Sequence, residues 1–376
     1  ADHLHLRLSH KYSEHLLETI KALPSEALKP KVNLNAFLVA TGVHLLAVAL
    51  AALGVYLLVS MFSNLFAVFG GLICLGLAWL ARPRFGKLPE AIADREDFPH
   101  LYKLVEDVAS EMNAPSVDAI VLEHDFNAAY GEFGFKRTKV LFLGLPLLNI
   151  LKDDELVALI GHELAHGVNG DPGRSTYIGT AIDTLLTWSK FLRPRFLWEP
   201  GSGLSGFFMI PLKLVYLAVA ESSKWIAHIL LSFSWKNSQR SEYLADYLGT
   251  KIAGAQGMTA MLEKMHYRNA FNTTLQQIAL GNPDKDFFQE FKTYVSEMPV
   301  REIERLRRLQ QLSTVRLDTT HPPTIHRLTF LNQHSHLKGE FSLSDFESQE
   351  LREELKKVQK KLQRRMVDRF RASLYH

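Results

Sequence analysis

Two histidines and a glutamate lie close together in the segment His162-Glu163-Leu164-Ala165-His166. On a helix, residues i and i+4 lie one above the other on the same face, so both imidazoles can bind one metal ion. Zinc accepts nitrogen ligands readily, and a catalytic zinc keeps one coordination position open for water. Glu163 directly follows the first histidine and can take a proton from that water. The spacing therefore predicts one zinc ion bound by His162 and His166, with Glu163 as general base.

The residues around this segment predict that it lies on a helix. Residues 153–155 are acidic and favour the positive end of a helix dipole. Leu156, Leu159 and Ile160 follow at helical spacing and form an apolar stripe. Gly167 and residues 169–172 are stop signals after the second histidine. The alternative is an ordinary amphipathic helix with two buried histidines.

Three further motifs occur at a distance from this helix. They are Asn127-Ala128 followed by Tyr130-Gly131, Glu242 with Asp246, and Thr320-His321-Pro322-Pro323 with Arg327. Glu242 and Asp246 share one helix face, a spacing that on its own is common and usually marks a solvated surface. In this order the motifs resemble those of the membrane-bound gluzincin metalloproteases. That family includes HtpX-like stress proteases, prenyl-protein endoproteases and mitochondrial Oma-type proteases. The resemblance covers roughly Leu101 to Leu331.

The resemblance implies roles for several of these residues. His162, His166 and Glu242 would bind the zinc, and Glu163 would act as general base. Asp246 would accept a hydrogen bond from the far ring nitrogen of a ligand histidine, with His162 as the expected donor. Such carboxylates fix the tautomer and orientation of a ligand imidazole.

His321 is the candidate that stabilises the oxyanion of the tetrahedral intermediate, because the resemblance places this segment close to the metal. The two prolines after it restrict the backbone and would help to aim the imidazole. The alternative is a turn histidine before a helix. Arg327 also matches a family position and is grouped with the substrate-binding residues, although it could instead only tie this segment down.

Residues 117–121, 126–131 and 139–143 are predicted to form strands around a glycine-containing turn. In zincins an edge strand beside the metal binds the substrate as an added strand. Asn127 and Ala128 are therefore expected to bind substrate. An asparagine near a turn is more often a local structural residue.

Residues 32–81 contain no Lys, Arg, Asp or Glu, and this run of fifty residues is long enough for two membrane helices. Ser60, Ser63 and Asn64 mark the turn, which gives spans near 34–59 and 65–81. Basic residues flank both outer ends of this hairpin, and the turn has no charge. Since positive residues stay on the cytoplasmic side, both ends and the catalytic domain should face the cytoplasm. The expected location is the bacterial inner membrane, with a multi-pass topology.

A second apolar region lies within residues 174–236. Residues 207–220 and 225–235 are strongly apolar but are interrupted by Lys213, Glu221 and Lys224. This insertion is expected to contact the membrane, either as a third or fourth span or as an amphipathic lid on the lipid surface. The number of crossings stays open.

The composition excludes several other classes of protein. The formal net charge of +3 is too small to argue for nucleic acid binding, and no basic–aromatic motif is present. The single cysteine, Cys74, excludes an intramolecular disulfide framework and a cysteine-based zinc site. Near the C-terminus, acidic residues 350–354 precede the basic run 356–371. Its basic end could contact anionic lipid or a partner subunit, but such a run is more often a solvated helix.

The sequence therefore predicts a mainly α protein (α+β) with a small β-sheet and four parts. These are a polar segment (1–31), a transmembrane helical hairpin (32–81), a zincin-type metallopeptidase domain (82–336) and a charged helical tail (337–376). The expected function is zinc-dependent endopeptidase activity on membrane-associated or misfolded proteins. The alternatives are a catalytically silent membrane scaffold or chaperone, and a zinc hydrolase of a non-peptide bond. The expected partners are protein or peptide substrates and the lipid bilayer, with oligomerisation left open.

Overall fold

The computed structural model describes residues 14–21, 28–29, 33–82, 86–89, 91–193, 210–312 and 321–374. The predictions for residues 1–13, for residues 194–209 of the apolar insertion and for Thr320 lie outside these ranges. The chain divides into two compact units. The first unit contains residues 1–30, 86–172 and 238–376, and the second contains residues 31–85 and 173–237.

The chain is mostly helical, as the sequence predicts. In chain order the helices are α1 (residues 14–21), α2 (Leu34–Ser60), α3 (Leu65–Leu80), α4 (Pro99–Glu111), α5 (Leu145–Ile150), α6 (Asp153–Val168), α7 (Asp171–Phe191), α8 (Ile210–Lys264), α9 (Arg268–Leu280), α10 (Phe287–Ser296), α11 (Val300–Leu312), α12 (Thr324–Asn332) and α13 (Asp345–Ser373).

A small sheet of three strands lies in the first unit, in the order β1-β3-β2. The strands are β1 (Ala119–Glu123), β2 (Ala128–Phe133) and β3 (Thr138–Gly144). Strand β3 pairs parallel with β1 and antiparallel with β2. Strand β2 is at the edge, and no described strand pairs with its outer side. All three strands lie near their predicted positions, but their ends differ because the apolar pattern does not fix where pairing begins.

Helix α6 runs through the core of the first unit. Every residue from Glu155 to Ala165 is buried. The carboxylate of Glu155 accepts hydrogen bonds from the Lys152 backbone N–H at 2.7 Å and from Lys264 Nζ at 2.5 Å, which fixes the start of the helix. The helix ends at Val168, and Gly170 adopts a φ of 66° in the turn that follows. The predicted start and stop signals thus coincide with the observed ends.

Helix α13 packs into the same core instead of forming a separate tail. Its buried apolar residues are Leu351, Leu355, Leu362, Met366 and Val367. The Glu354 carboxylate accepts hydrogen bonds from the backbone N–H groups of His100 at 2.8 Å and Leu101 at 3.1 Å, and so caps α4. The prediction of a charged tail over residues 337–376 rests on the charges that dominate its composition. The apolar residues at helical spacing determine the packing.

Helix α8 is interrupted at Gly254, where φ is 85° and ψ is 157°. The break frees the carbonyl groups of Lys251 and Ile252. They accept hydrogen bonds from the backbone N–H groups of Glu340 at 3.2 Å and Phe341 at 3.0 Å. The segment that leads into α13 is therefore attached to the broken helix through its backbone.

The second unit contains α2, α3 and parts of α7 and α8. The side chain of Asn33 accepts a hydrogen bond at the start of α2, and that of Asn64 accepts two at the start of α3. Helices α2 and α3 match the spans predicted from the sequence to within one residue. The apolar contacts that join α2, α7 and α8 involve Ala36, Ala40, Val43, Ala181, Leu185, Ala227 and Leu230.

Two described helical segments are long and apolar enough to cross a bilayer, judged by length and composition alone. They are α2 and a segment that begins at Lys213 in α8. Helix α3 is equally apolar in character but shorter.

Candidate active site

Helix α6 presents His162, Glu163 and His166 at one place in the first unit. His162 is 4 % exposed and Glu163 is 8 % exposed. The two imidazole centroids lie 5.1 Å apart, and the ring planes are perpendicular. The helix brings the two histidines together because they are one turn apart, as the sequence predicts.

Glu242 reaches the histidines from α8. Its Oε2 lies 3.7 Å from Nε2 of His162, and its Oε1 lies 3.6 Å from Nε2 of His166. One ligand atom from each of the three side chains lies within 4.8 Å of the other two. The structure therefore brings together the three side chains that the sequence proposes as metal ligands, although His166 and Glu242 are far apart in the chain.

A glycine allows α8 to approach α6 closely enough for this contact. A Cβ atom on Gly249 would lie 3.3 Å from the Ala158 carbonyl oxygen and 3.4 Å from the His162 backbone nitrogen. Any larger side chain at this position would have to push the two helices apart.

Each histidine has a carboxylate against its other ring nitrogen. Oδ1 of Asp246 lies 3.2 Å from Nδ1 of His162, the pairing that the resemblance implies. Oδ2 of Asp171 lies 3.0 Å from Nδ1 of His166. With Nδ1 facing a carboxylate, both rings present Nε2 towards Glu242.

The sequence analysis does not identify Asp171 as a site residue. Besides its contact with His166, its Oδ1 accepts a hydrogen bond at 2.6 Å from Oγ of Ser241, the residue before Glu242. The nearby Asn169 donates from Nδ2 to the Ser241 carbonyl at 3.5 Å. The sequence signal for Asp171 is the polar Asn169-Gly170-Asp171 segment just after the second histidine, which predicts only the end of a helix.

Arg327 is buried and binds Asp246. Its Nε donates to Oδ2 at 2.8 Å and its NH2 donates to Oδ1 at 2.5 Å, while NH1 lies 3.8 Å from Oε2 of Glu242. Nε and NH2 both bind Asp246, NH1 is near Glu242 and the side chain is 10 % exposed, a geometry that fits the alternative in which Arg327 ties this segment down. Arg327 holds the carboxylate that contacts His162.

His321 lies at the entrance of this cluster. Its Nδ1 is 2.7 Å from Oε2 of Glu242, and its side chain is 60 % exposed. Pro322 and Pro323 separate it from α12, and the Pro323 carbonyl accepts the Arg327 backbone N–H at 3.2 Å. The segment predicted to lie near the metal ligands thus contacts one of them.

Asn127 and Ala128 stand at the start of β2. Asn127 is exposed and Ala128 is buried. The Asn127 carbonyl accepts a hydrogen bond from the Gly144 backbone N–H at 2.8 Å, and among the described residues neither Asn127 nor Ala128 forms a hydrogen bond or ion pair with the three clustered side chains. The neighbouring strand residue Tyr130 packs against α6 just after His166: a Cβ on Gly167 would lie 3.0 Å from the Tyr130 hydroxyl oxygen. The edge strand therefore runs alongside the helix that carries both histidines.

The charges of the cluster shift its pKa values. Burial lowers the pKa of His166, but the hydrogen bond to Asp171 and the charge of Glu242 outweigh burial and raise it to about 9. Burial raises the pKa of Glu242, yet His321 and the Arg327 guanidinium contribute to holding it well below its usual range. Glu242 is therefore ionised and suited to bind a cation.

The cluster fits a single zinc ion. Oε1 of Glu242 lies 3.6 Å from Nε2 of His166, and Oε2 lies 3.7 Å from Nε2 of His162. Both distances are longer than a hydrogen bond and leave space for an ion between the ligand atoms. Two imidazole nitrogens with one carboxylate oxygen form a donor set that catalytic zinc sites use.

A helix with two histidines and a glutamate, met by a carboxylate from a second helix, defines the class of single-metal hydrolases. Residues 95–335 match the sequence pattern of peptidase family M48. The chain belongs to this family, and it is a protease.

Among its relatives is a protein named Protease HtpX homolog from Pyrobaculum calidifontis, which is 28 % identical over 242 residues, or 62 % of this chain and 68 % of the relative. A protein of the same name from Streptococcus gordonii is 24 % identical over 230 residues, or 57 % of this chain and 74 % of the relative. A third, from Thermococcus sibiricus, is 25 % identical over 253 residues, or 64 % and 76 % of the two chains.

Proposed function

We propose that this chain is a membrane-anchored zinc endopeptidase that hydrolyses peptide bonds in membrane-associated or misfolded proteins. Its biological role would be protein quality control or regulated proteolysis. The observation that carries the proposal is the cluster of His162, His166 and Glu242, whose ligand atoms lie within 4.8 Å of one another.

Glu163 is the proposed general base. It follows His162 directly and is buried, and its charge contributes to the raised pKa of His166. Glu163 accepts a proton from the attacking water and later passes it to the leaving amine. A zinc ion held by the three ligands would supply Lewis acidity and would make that water more acidic.

His321 is the proposed stabiliser of the oxyanion that forms on the substrate carbonyl. To donate to the oxyanion, its ring must turn away from Oε2 of Glu242. The side chain is 60 % exposed, which leaves it room to do so. Asp246 and Asp171 keep the two ligand imidazoles oriented, and Arg327 keeps Asp246 in place.

The proposed substrate site is the outer edge of β2. Its backbone groups can form main-chain hydrogen bonds with an extended peptide, which would add to the sheet as a fourth strand. Asn127, at the exposed start of this strand, could contribute its side-chain amide. Such a mode of binding recognises unfolded or extended segments of many sequences and suits a protease of misfolded proteins.

The outward-facing residues of α2 and α3 support membrane anchoring. Large apolar side chains are exposed on both helices, including Leu34 at 63 %, Phe66 at 88 % and Ile73 at 62 %. Small residues such as Ala36 and Ala40 are buried instead. This distribution is the reverse of that in a helix bundle that faces water, and lipid is the solvent that suits it. By the positive-inside rule the peptidase unit would lie on the cytoplasmic side of a bacterial inner membrane.

A Glu163→Gln variant tests the proposed function. The exchange keeps the shape of the side chain and removes its basicity, so the rate of cleavage of casein or a membrane-protein reporter should fall by about 10²- to 10⁴-fold. Because Glu163 is not one of the three clustered ligands, zinc measured by elemental analysis should stay at the parent level. A Glu242→Gln variant is the matched control and should lose both zinc and cleavage.

Undiminished cleavage by Glu163→Gln would contradict the assigned general base. A parent protein that binds zinc but cleaves neither substrate would favour the scaffold or the non-peptide hydrolase.

A further inference from the structure

A row of cations lies on the exposed side of α13. Lys357, Lys360, Lys361, Arg364 and Arg365 are all exposed, and no carboxylate occurs between Glu354 and Asp368. None of the five forms an ion pair with another described residue, whereas Lys356, at the start of the run, pairs with Glu353. We refer to these five residues as the basic face.

The basic face is held outward even though its charges repel each other. Its members are spaced three or four residues apart along the helix, where like charges destabilise the helix. Leu355, Leu362 and Met366 are buried on the opposite side and fix the rotation of α13 about its axis. The core thus fixes a surface of unpaired positive charge, which an external anion would stabilise.

One end of the basic face adjoins a groove. One residue that lines this groove, Lys87, follows the apolar hairpin closely in the sequence. Arg365 lines this groove together with Lys87, His124, Leu362 and Glu123, the single carboxylate in its lining. All of these residues belong to the first unit.

Lys87 is connected to the hairpin by a short piece of chain. It lies five residues after Arg82, whose guanidinium rests 3.5 Å from the centre of the Trp79 ring at the end of α3. A tryptophan and an arginine at the end of an apolar helix are typical of the membrane interface.

We propose that the basic face of α13 binds the anionic lipid headgroups of the bilayer that holds α2 and α3. The proposal depends on the proposed membrane anchoring and adds to it a second, electrostatic contact of the peptidase unit. Each cation near an anionic lipid surface strengthens association by about fivefold at low ionic strength. Five neighbouring cations without partners are enough for a contact that salt and lipid composition can control.

The test uses the full chain in lipid nanodiscs. In a Cys74→Ser background, Ala372→Cys places one thiol on the exposed side of α13 for a donor dye. Energy transfer to an acceptor dye on lipid headgroups then reports how near α13 lies to the surface. We expect higher transfer in nanodiscs containing phosphatidylglycerol than in nanodiscs of phosphatidylcholine alone. High salt should remove the difference, because it screens exposed charges.

A variant in which Lys357, Lys360, Lys361 and Arg364 are all replaced by Gln should show the low transfer of phosphatidylcholine discs in both lipids. The matched control replaces Arg301, Arg305, Arg307 and Arg308 of α11 by Gln and should behave as the parent. Equal transfer in the two lipids, or in parent and variant, would overturn the proposal. Energy transfer that does not depend on lipid charge but falls when RNA is added would overturn the proposal and indicate that the basic face binds nucleic acid.

Failure of the anchoring itself is visible separately, since an unanchored protein would not be incorporated into the nanodiscs. Peptidase activity is measured in the same samples. It should be the same in parent and variant in phosphatidylcholine discs, because the basic face contributes no residue to the candidate active site.

Discussion

Two aspartates contact the Nδ1 atoms of the imidazoles in the candidate metal site, and they come from different parts of the chain. Asp246 lies on the same helix as Glu242, while Asp171 is the first residue of α7, just after the histidine helix. Asp171 also accepts a hydrogen bond from Ser241, next to Glu242. One carboxylate therefore links the two helices that carry the ligands.

Replacement of Asp171 should weaken metal binding without unfolding the protein. In Asp171→Ala the His166 ring loses the acceptor that orients it, and zinc affinity should fall by about 10- to 100-fold. Asp171→Asn keeps an acceptor oxygen and should have an intermediate affinity. The dissociation constant is measured by competition with a chromophoric chelator. Asp118→Ala is the control, because Asp118 is exposed and accepts only from the Lys139 backbone. Parent-like affinity in Asp171→Ala would show that this contact does not orient the ring.

Replacement of Arg327 should destabilise the first unit. Arg327→Ala leaves the fully buried Asp246 carboxylate without its guanidinium partner, at a cost of about 3–5 kcal/mol. Thermal unfolding in detergent, followed by circular dichroism, measures the loss. Arg308→Ala removes an exposed cation whose side chain is 73 % accessible, and it should change stability by less than about 0.5 kcal/mol. Equal melting temperatures for the two variants would contradict the structural role of Arg327.

The spacing of the two histidines predicted that they lie together, and the resemblance added Glu242 and Asp246, which the structure brings to the same place; the role of Glu163 stays a prediction. Asp171 was not among the predicted site residues, because nothing in the sequence shows that the first residue of α7 returns to His166. The two roles considered for Arg327 could not be separated from the sequence, because a chain position does not reveal whether a guanidinium faces a substrate or a buried carboxylate.

At the scale of the elements, the backbone of α8 is strongly constrained at its break, Gly254. The backbone angles of Gly254 lie in a region that essentially only glycine adopts. A Cβ there would also lie 3.1 Å from the backbone nitrogen of Gly339. A Cβ on Gly339 would in turn lie 2.8 Å from the backbone of Ala253, so the break and the pairing of residues 251–252 with 340–341 depend on both glycines.

Gly254→Ala should destabilise the protein by about 1–3 kcal/mol. Gly179→Ala in α7 is the matched control, because no atom lies within 4 Å of its added Cβ, and it should be neutral or slightly stabilising. Melting temperatures in the same detergent compare the two. An unchanged melting temperature for Gly254→Ala would mean that the chain can pass this point in another conformation.

The sequence predicted the helices α2, α3 and α6 well. Long apolar runs indicated α2 and α3, and start and stop signals indicated α6. Their ends agree with the structure to within a residue or two. The helical stretch that carries Glu242 is predicted from the sequence to end near Gly249, and the break in α8 lies five residues later, at Gly254. The packing of α13 was missed because the apolar residues are a minority among its charges.

For the whole molecule, the distribution of charge around the apolar hairpin predicts which side of the membrane each part occupies. In the Cys74→Ser background, a cysteine at Ser63, between α2 and α3, should react with an impermeant maleimide added to intact spheroplasts. A cysteine at Ala372 in α13 should react only after the membrane is permeabilised. The opposite labelling pattern would reverse the proposed orientation, and labelling of both sites in intact spheroplasts would contradict anchoring by a hairpin.

The division of the chain into two units was only partly foreseeable. The sequence separated the apolar stretches from the catalytic motifs through hydropathy. It could not show that residues from α2, α7 and α8 share one apolar cluster, because contacts between distant helices leave no periodic signal in a single sequence.

The buried pairing of Arg327 with Asp246 also has a consequence for biosynthesis. A ribosome releases His162 long before Glu242, and Arg327 emerges later still. The buried Arg327–Asp246 pair can therefore form only after the residues between the histidine helix and α12 have been synthesised.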